Sequence, residues 1–140
     1  MAVFGINIAM TKYLLLAAGG AIGTMFRYGV SNIDYKYSDS VFPLGTFLVN
    51  VSGSLLIGFL WGVSERVVVS PKLRMFGLVG ILGGYTTFST YSLESFSLLR
   101  DGEYRTALGN IFLTNIVAIA FVFVGYFLSK MLMSALHKGG

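Results

Sequence analysis

Four long apolar stretches, joined by short polar connectors, take up nearly the whole chain and constrain its fold more than any other feature. They cover residues 12–30, 44–64, 73–99 and 107–133. A helix needs about 20 mostly apolar residues to cross a bilayer, and each stretch has about that length. The pattern predicts an all-α integral membrane protein, with one domain over residues 1–140 and four transmembrane helices.

The composition supports this prediction and excludes several kinds of site. Charged residues make up 11% of the chain and the mean hydropathy is +0.77. A soluble domain carries charge on about a quarter of its residues, so lipid must cover most of this surface. The chain has no cysteine and one histidine, His137, in a polar tail, so neither a thiolate nor a histidine-based catalytic or metal site is predicted. The basic residues are scattered between apolar spans, so no nucleic-acid site is predicted either.

The apolar stretch after Lys12 continues well past Ala18, which favours a membrane span over a cleaved signal peptide. With four spans, the two termini and the second connector share one side of the membrane. That side carries six of the basic residues and the other side four: Lys12, Arg66, Lys72, Arg74, Lys130 and Lys138 against Arg27, Lys36, Arg100 and Arg105. So small a bias fits either a slight preference for one orientation or insertion both ways as an inverted dimer.

Polar residues on the first two spans have two possible roles each. Asn50 shares a face of the second span with Ser54, Gly58 and Gly62, a spacing that lets helices approach closely. Its carboxamide can bridge two helices or donate to an anion. Arg27, near the end of the first span, can reach the membrane surface or gather anions at a wet vestibule.

The third span contains two adjacent glycines, Gly83 and Gly84, followed by β-branched and hydroxyl residues, which make a poor helix interior. We therefore expect this helix to break mid-span, near the glycine pair. Carbonyls freed between Gly83 and Thr86 could then bind a cation. The alternative is an unbroken helix whose hydroxyls bond back to its own carbonyls.

Beyond the expected break, Phe88 and Tyr91 share one face and Ser89 and Ser92 another. The partly positive edge of an aromatic ring can attract a small anion although the ring carries no full charge, and so can a hydroxyl group. Ordinary packing is the alternative role of Phe88 and Tyr91. Glu94 lies inside the apolar stretch, where it can carry a proton or end the hydroxyl track. On the fourth span, Asn110, Thr114 and Asn115 are expected to hydrogen-bond across helices.

Three strings resemble the Fluc (CrcB-type) fluoride channel family. They are Gly23 to Tyr28, which contains Arg27; Gly45 to Asn50; and Gly83 to Glu94, whose Gly-Gly-x-Thr-Thr-Phe-Ser-Thr pattern is specific. The resemblance covers nearly the whole chain in length and span order. It implies a non-enzymatic, fluoride-selective channel that exports fluoride passively. It also implies an inverted, dual-topology homodimer with two pores, set in the lipid of a prokaryotic plasma or inner membrane.

The resemblance also implies roles for single residues. It places the pore asparagine at Asn50, the first pore phenylalanine at Phe88 and the vestibule arginine at Arg27. The hydroxyl track falls on Ser89, Thr90 and Ser92 and ends near Glu94. A structural sodium ion at the dimer interface would be held by the backbone carbonyls of Gly83 and Thr86.

One position departs from the family pattern. The second pore aromatic is usually phenylalanine, and here it is Tyr91, which keeps the ring edge and adds a hydroxyl. That hydroxyl can donate to fluoride or bond a neighbouring hydroxyl. The main rival function is a small four-span, proton-coupled multidrug exporter, which needs a membrane-embedded carboxylate on its first span; the predicted first span has none.

Overall fold

The computed structural model describes residues 2–37 and 41–138. These residues form helices and connecting turns, with no strand among them. In chain order the elements are α1 (Ala2–Tyr37), α2 (Leu44–Ser64), α3 (Pro71–Arg74), a π-helical segment (Met75–Leu82), α4 (Gly83–Tyr85), α5 (Phe88–Arg100) and α6 (Tyr104–Lys138). The elements from α3 to α5 follow one another with a single interruption and are called the broken helix below. The all-α prediction is therefore confirmed for the described residues.

The helices start and end close to the predicted spans, with one clear exception. α2 begins directly after Pro43 and ends at Ser64, and both ends agree with the predicted second span. α1 instead begins at Ala2, ten residues before the predicted first span, and continues to Tyr37, through the polar residues that were predicted to start the first connector. Apolar character marks the part of a helix that suits lipid, whereas a helix itself extends as long as its backbone bonds continue. The predicted connector residues Asp39 and Ser40 and the final Gly139 and Gly140 lie outside the described residues.

Small residues let α2 and α6 pack with their backbones close together. A Cβ atom on Gly58 would clash with the Val122 carbonyl, and one on Gly125 would clash with the Leu55 carbonyl. The stripe through Gly58 therefore has the packing role predicted for it. Where the two helices separate, Glu65 accepts hydrogen bonds from Lys130 Nζ at 2.5 Å and Tyr126 Oη at 3.0 Å. The Lys130 ammonium group lowers the pKa of the Glu65 carboxyl group, with a further contribution from Tyr126.

The broken helix packs against α1 in the same way. A Cβ atom on Gly19 would lie 2.6 Å from the Phe76 carbonyl oxygen, and one on Gly84 would lie 2.6 Å from the Gly20 carbonyl oxygen. Gly84 thus serves close helix contact. This contact holds the first half of the broken helix against α1, while α5 turns away from it.

The break itself lies at Thr86 and Thr87, both in extended conformations, with φ −76° and ψ 154° for Thr86 and φ −148° and ψ 113° for Thr87. The prediction of a mid-span break is confirmed, but its expected position at the Gly83–Gly84 pair is wrong, because both glycines remain helical. β-branched residues tolerate extended backbone well. The two threonines therefore adopt the extended backbone of the break, while the two glycines keep helical backbone angles.

Two of the helices are each long and apolar enough to cross a membrane by themselves, Leu44–Ser64 and Tyr104–Leu136. The break divides the third predicted span between shorter elements. α1 mixes apolar residues with glycines and Arg27, which lowers its hydropathy. Large apolar side chains are exposed on α1, α2, the broken helix and α6, for example Met25, Leu56, Val79 and Phe123. A water-facing surface would not favour such exposure on every helix.

Candidate functional site

A cavity of about 370 Å³ lies beside the break, between α2, the broken helix and α6. It is lined by polar but uncharged side chains, aromatic rings and aliphatic groups: Asn50, Gly53, Ser54, Ile57, Leu82, Gly83, Thr86, Thr87, Phe88, Tyr91, Thr114, Asn115, Ala118 and Ile119. Three of the predicted pathway residues, Asn50, Phe88 and Tyr91, are among them, as are both predicted cation ligands, Gly83 and Thr86. The cavity is thus a candidate binding site that offers hydrogen-bond donors without a full charge.

Asn50 fastens the break to α2 through both ends of its carboxamide. The backbone N–H of Thr87 donates to Asn50 Oδ1 at 2.9 Å, and Asn50 Nδ2 donates to the Thr87 carbonyl at 3.1 Å. Both polar backbone groups of an extended residue inside the protein are therefore satisfied by one side chain. Asn50 has the helix-bridging role predicted as one of its two alternatives. Nδ2 carries a second hydrogen, and Asn50 is one of the residues that line the cavity.

Thr87, which the sequence analysis did not single out, caps the start of α5. Its Oγ1 accepts from the Thr90 backbone N–H at 3.2 Å and donates to Thr90 Oγ1 at 2.9 Å, and it lies 3.4 Å from Ser89 Oγ. Ser89 and Thr90 therefore meet Thr87 at the first turn of α5. The N-terminal end of a helix carries a partial positive charge, so the cavity wall at Thr87 and Phe88 favours negative charge.

The two predicted pore aromatics lie next to each other on the cavity wall. The ring centroids of Phe88 and Tyr91 are 5.4 Å apart and the rings are tilted by 48°. Phe88 is 76% exposed, whereas Tyr91 is 7% exposed. Asn115 Nδ2 donates to the Tyr91 hydroxyl at 2.8 Å. The alternative of a bond to a neighbouring hydroxyl is therefore wrong in its partner, because the neighbouring group is the amide of Asn115.

The other predicted site residues do not line the cavity. Ser92 Oγ donates back to the Phe88 carbonyl at 2.8 Å, in the manner of a helix surface hydroxyl. Glu94 lies about one turn after Tyr91 on α5 and accepts a hydrogen bond from Thr46 Oγ1 on α2 at 2.7 Å. Arg27 Nη1 donates to the Thr86 carbonyl at 3.4 Å, so this side chain reaches toward the break. These contacts extend a polar path along α5 on either side of the cavity.

A buried polar network joins α5 to α6 behind the aromatic rings. Asn110 is completely buried; its Nδ2 donates to Ser95 Oγ at 3.0 Å, and Ser95 Oγ donates to the Tyr91 carbonyl at 2.8 Å. Thr114 Oγ1 donates to Asn110 Oδ1 at 3.1 Å. The expected cross-helix bonding is confirmed for Asn110 and Asn115, but it is wrong for Thr114, which bonds within α6. Ser95 could have been found from the sequence, because it lies four residues after Tyr91 on the same helix face.

A family model described as CrcB-like protein, Camphor Resistance (CrcB), matches residues 14–126, which include every residue of the cavity and of the polar path. The chain belongs to the CrcB-like family. The resemblance seen in the three strings is thereby confirmed. The members of this family are membrane proteins, in agreement with the apolar helices found here.

Curated relatives in the CrcB-like family share close to half of their residues with this chain. It is 44% identical over 121 residues to the fluoride-specific ion channel FluC of Parabacteroides distasonis, covering 86% of this chain and 94% of the relative. It is 43% identical over 118 residues to the channel of the same name from Aquifex aeolicus, covering 84% of this chain and 95% of the relative. It is 45% identical over 118 residues to the channel of the same name from Pyrococcus abyssi, covering 84% of this chain and 94% of the relative. The similarity therefore extends over nearly the full length of these channels.

Proposed function

We propose that this chain is a fluoride-selective ion channel that lets fluoride leave the cell passively. The observation that carries the proposal is the uncharged cavity beside the break, which combines amide and hydroxyl groups with aromatic ring edges. Relatives that match nearly the whole chain are named fluoride-specific ion channels. A channel is not an enzyme, and the groups that line the cavity are suited to binding an ion.

The chemistry of the cavity suits a small, strongly hydrated anion. To cross the membrane such an ion must exchange its water for protein donors, yet must not be held so tightly that it cannot leave. Amide and hydroxyl groups meet both conditions better than a lysine or arginine at the same depth. The positive end of α5 adds to the attraction. A narrow path built from short donors also excludes larger halides by size.

The channel is proposed to work as an inverted homodimer with two pores, in the plasma or inner membrane of a prokaryote. Phe88, which lines the cavity, is 76% exposed in the single chain, so the site lacks a wall on that side. A second copy would supply that wall. The nearly balanced distribution of Lys and Arg between the two sides supports insertion in both orientations, and lipid would cover the outer apolar faces.

A proton-coupled multidrug exporter has less support. Such an exporter needs an embedded carboxylate at its binding site. Glu94 lies outside the cavity and accepts a hydrogen bond from Thr46 Oγ1 at 2.7 Å. The described side chains of α1 between residues 10 and 32 include no Asp or Glu.

Liposomes loaded with potassium fluoride and containing the purified protein are expected to release fluoride rapidly once a potassium ionophore removes the opposing voltage. Liposomes loaded with potassium chloride should release no chloride above the rate of protein-free liposomes, because a narrow path built from short donors excludes the larger ion by size. A fluoride electrode and a chloride electrode measure the two rates. Equal rates for both anions would contradict the selectivity, and no fluoride release would contradict the proposed function itself.

The proposed sodium ion requires carbonyl groups at the break that still have a lone pair for a cation, and the residues present fit this requirement. In an unbroken helix the Gly83 carbonyl would accept from the Thr87 N–H, which here donates to Asn50 instead. The Thr86 carbonyl accepts from Arg27 Nη1 over 3.4 Å. Gly83 is exposed, and a Cβ atom added to it would meet no other atom within 4 Å. Two carbonyls from each copy of an inverted dimer would provide four oxygen ligands for one cation.

Replacing sodium with N-methylglucamine at constant ionic strength is therefore expected to lower the thermal unfolding midpoint of the detergent-solubilised dimer. A ligand that binds only the folded state stabilises it by mass action. The dimer fraction from size-exclusion chromatography should fall in the same buffer. Potassium at the same concentration is the control for ionic strength. Identical midpoints and dimer fractions in all three buffers would contradict a structural sodium ion.

A further inference from the structure

The Tyr91 hydroxyl and the Asn115 carboxamide form a pair on the cavity wall that connects α5 to α6. Both residues line the cavity, and Asn115 Nδ2 lies 2.8 Å from Tyr91 Oη. The same nitrogen lies 2.7 Å from the Ile111 carbonyl oxygen, one turn earlier on α6. Among the described residues, Asn115 is the hydrogen-bond partner that the structure gives to the Tyr91 hydroxyl.

The Ile111 carbonyl decides which way the amide of Asn115 faces. A carbonyl oxygen can only accept, so the side-chain atom beside it must be the nitrogen. Of the two hydrogens on Nδ2, one goes to Ile111 and the other points at Tyr91. The Tyr91 oxygen is therefore the acceptor in this pair, and its own hydrogen must point away from Asn115.

The position of the Tyr91 hydroxyl is held from two directions. The backbone carbonyl of Tyr91 accepts from Ser95 Oγ at 2.8 Å. Ser95 Oγ in turn accepts from Nδ2 of the buried Asn110 at 3.0 Å. The Tyr91 side chain itself is 7% exposed. The ring is therefore largely enclosed, and the backbone that carries it is joined to α6 through Ser95 and Asn110.

We propose that Tyr91 Oη donates its hydrogen directly to fluoride in the cavity, and that Asn115 is the positioning residue that aims this hydrogen. The proposal rests on the proposed function and adds a donor to it. A hydroxyl that accepts one hydrogen bond becomes a stronger donor of another. Fluoride therefore meets, at this one side chain, both the positive edge of a ring and a polarised O–H group.

The test compares four proteins in the same liposomes: wild type, Tyr91→Phe, Asn115→Leu and the double variant. Hydrogen bonds to charged groups are strong enough that Tyr91→Phe is expected to raise the fluoride concentration that half-saturates flux by about tenfold. Asn115→Leu should raise it by about threefold, since the hydroxyl remains but is no longer aimed or polarised. In the Tyr91→Phe background, Asn115→Leu should have no further effect.

The double variant separates positioning from a structural role. If Asn115 served only to cap the Ile111 carbonyl, its replacement would have the same effect in the wild-type background as in the Tyr91→Phe background, and that result would overturn the proposal. A half-saturating concentration in Tyr91→Phe equal to that of wild type would overturn it as well. Fluoride-dependent shifts of the thermal unfolding midpoint provide a second measure of affinity. Asn115→Ala replaces Asn115→Leu if the larger side chain prevents folding.

The result also distinguishes this proposal from the function on which it rests. If wild-type protein carries fluoride and Tyr91→Phe has unchanged affinity, the proposed donor is wrong and the channel stands. If wild-type protein carries no fluoride, both are overturned.

Discussion

Replacing Asn50 with leucine is expected to abolish fluoride flux and to destabilise the fold by about 2–6 kcal/mol. The carboxamide satisfies both the N–H and the C=O of Thr87, at 2.9 Å and 3.1 Å. Leucine has nearly the same volume but leaves both groups without their partner. Each buried polar group left unpaired costs about 1–3 kcal/mol. Since Thr87 also caps α5, its displacement would disturb the wall of the cavity next to Phe88.

Two measurements check this prediction: flux from liposomes, and unfolding by titration with sodium dodecyl sulfate. Asn32→Leu provides a matched control, because Asn32 is exposed near the end of α1 and lies outside the cavity. That variant should conduct and unfold like the wild type. Asn50→Asp keeps an acceptor for the Thr87 N–H but has no donor for its carbonyl, so an intermediate stability is expected.

Fluoride flux and stability can also respond differently to this substitution. An Asn50→Leu protein that is less stable but still conducts would limit Asn50 to its helix-bridging role. An Asn50→Leu protein with unchanged stability would contradict the importance of the two bonds to Thr87. Loss of both properties is the result expected from the structure.

The helices could be predicted from the sequence because their signals are local. The apolar run after Pro43 defines α2, and the small residues around Gly58 mark the face that meets α6. The break was predicted from its residue types, but its position was not. The glycines looked like the weakest point of the helix, yet Gly84 is needed where the chain passes close to Gly20. The extended residues are the threonines that follow.

The contacts that complete the site join residues far apart in the chain, and they depend on how the helices pack. Thr46 meets Glu94 across 48 positions, and Asn115 meets Tyr91 across 24. No spacing rule within one helix relates such residues. Thr87 was missed for a different reason. Its role depends on backbone atoms that only become available once the helix is broken, so its side-chain type alone did not distinguish it from Thr86.

Phe88→Ile is expected to reduce fluoride flux strongly while leaving the fold intact. The Phe88 ring lines the cavity at the positive end of α5, 5.4 Å from the Tyr91 ring. Isoleucine fills a similar space but has no ring edge with partial positive charge, so the ion would lose an attractive contact at the narrowest donor set. Interactions of ring edges are worth about 0.5–1.5 kcal/mol between aromatic partners, and 1.4 kcal/mol corresponds to about tenfold. The upper end of this range corresponds to a drop in flux of about tenfold, which is the expected effect.

The fold should tolerate this change because Phe88 is 76% exposed in the single chain. Exposed substitutions usually alter stability by less than about 0.5 kcal/mol, so titration with sodium dodecyl sulfate should give a curve close to that of the wild type. Phe96→Ile is the matched control: Phe96 lies on the same helix, is 59% exposed and does not line the cavity. It should conduct normally.

The pattern across these variants decides what the ring does. If Phe88→Ile conducts like Phe96→Ile, Phe88 has a packing role and the ring edge does not contribute to transport. If both variants lose flux, the cause is a general disturbance of α5. If Phe88→Ile loses flux and Phe88→Tyr retains it, the ring edge is the required feature, because tyrosine keeps that edge and adds only a hydroxyl beyond it.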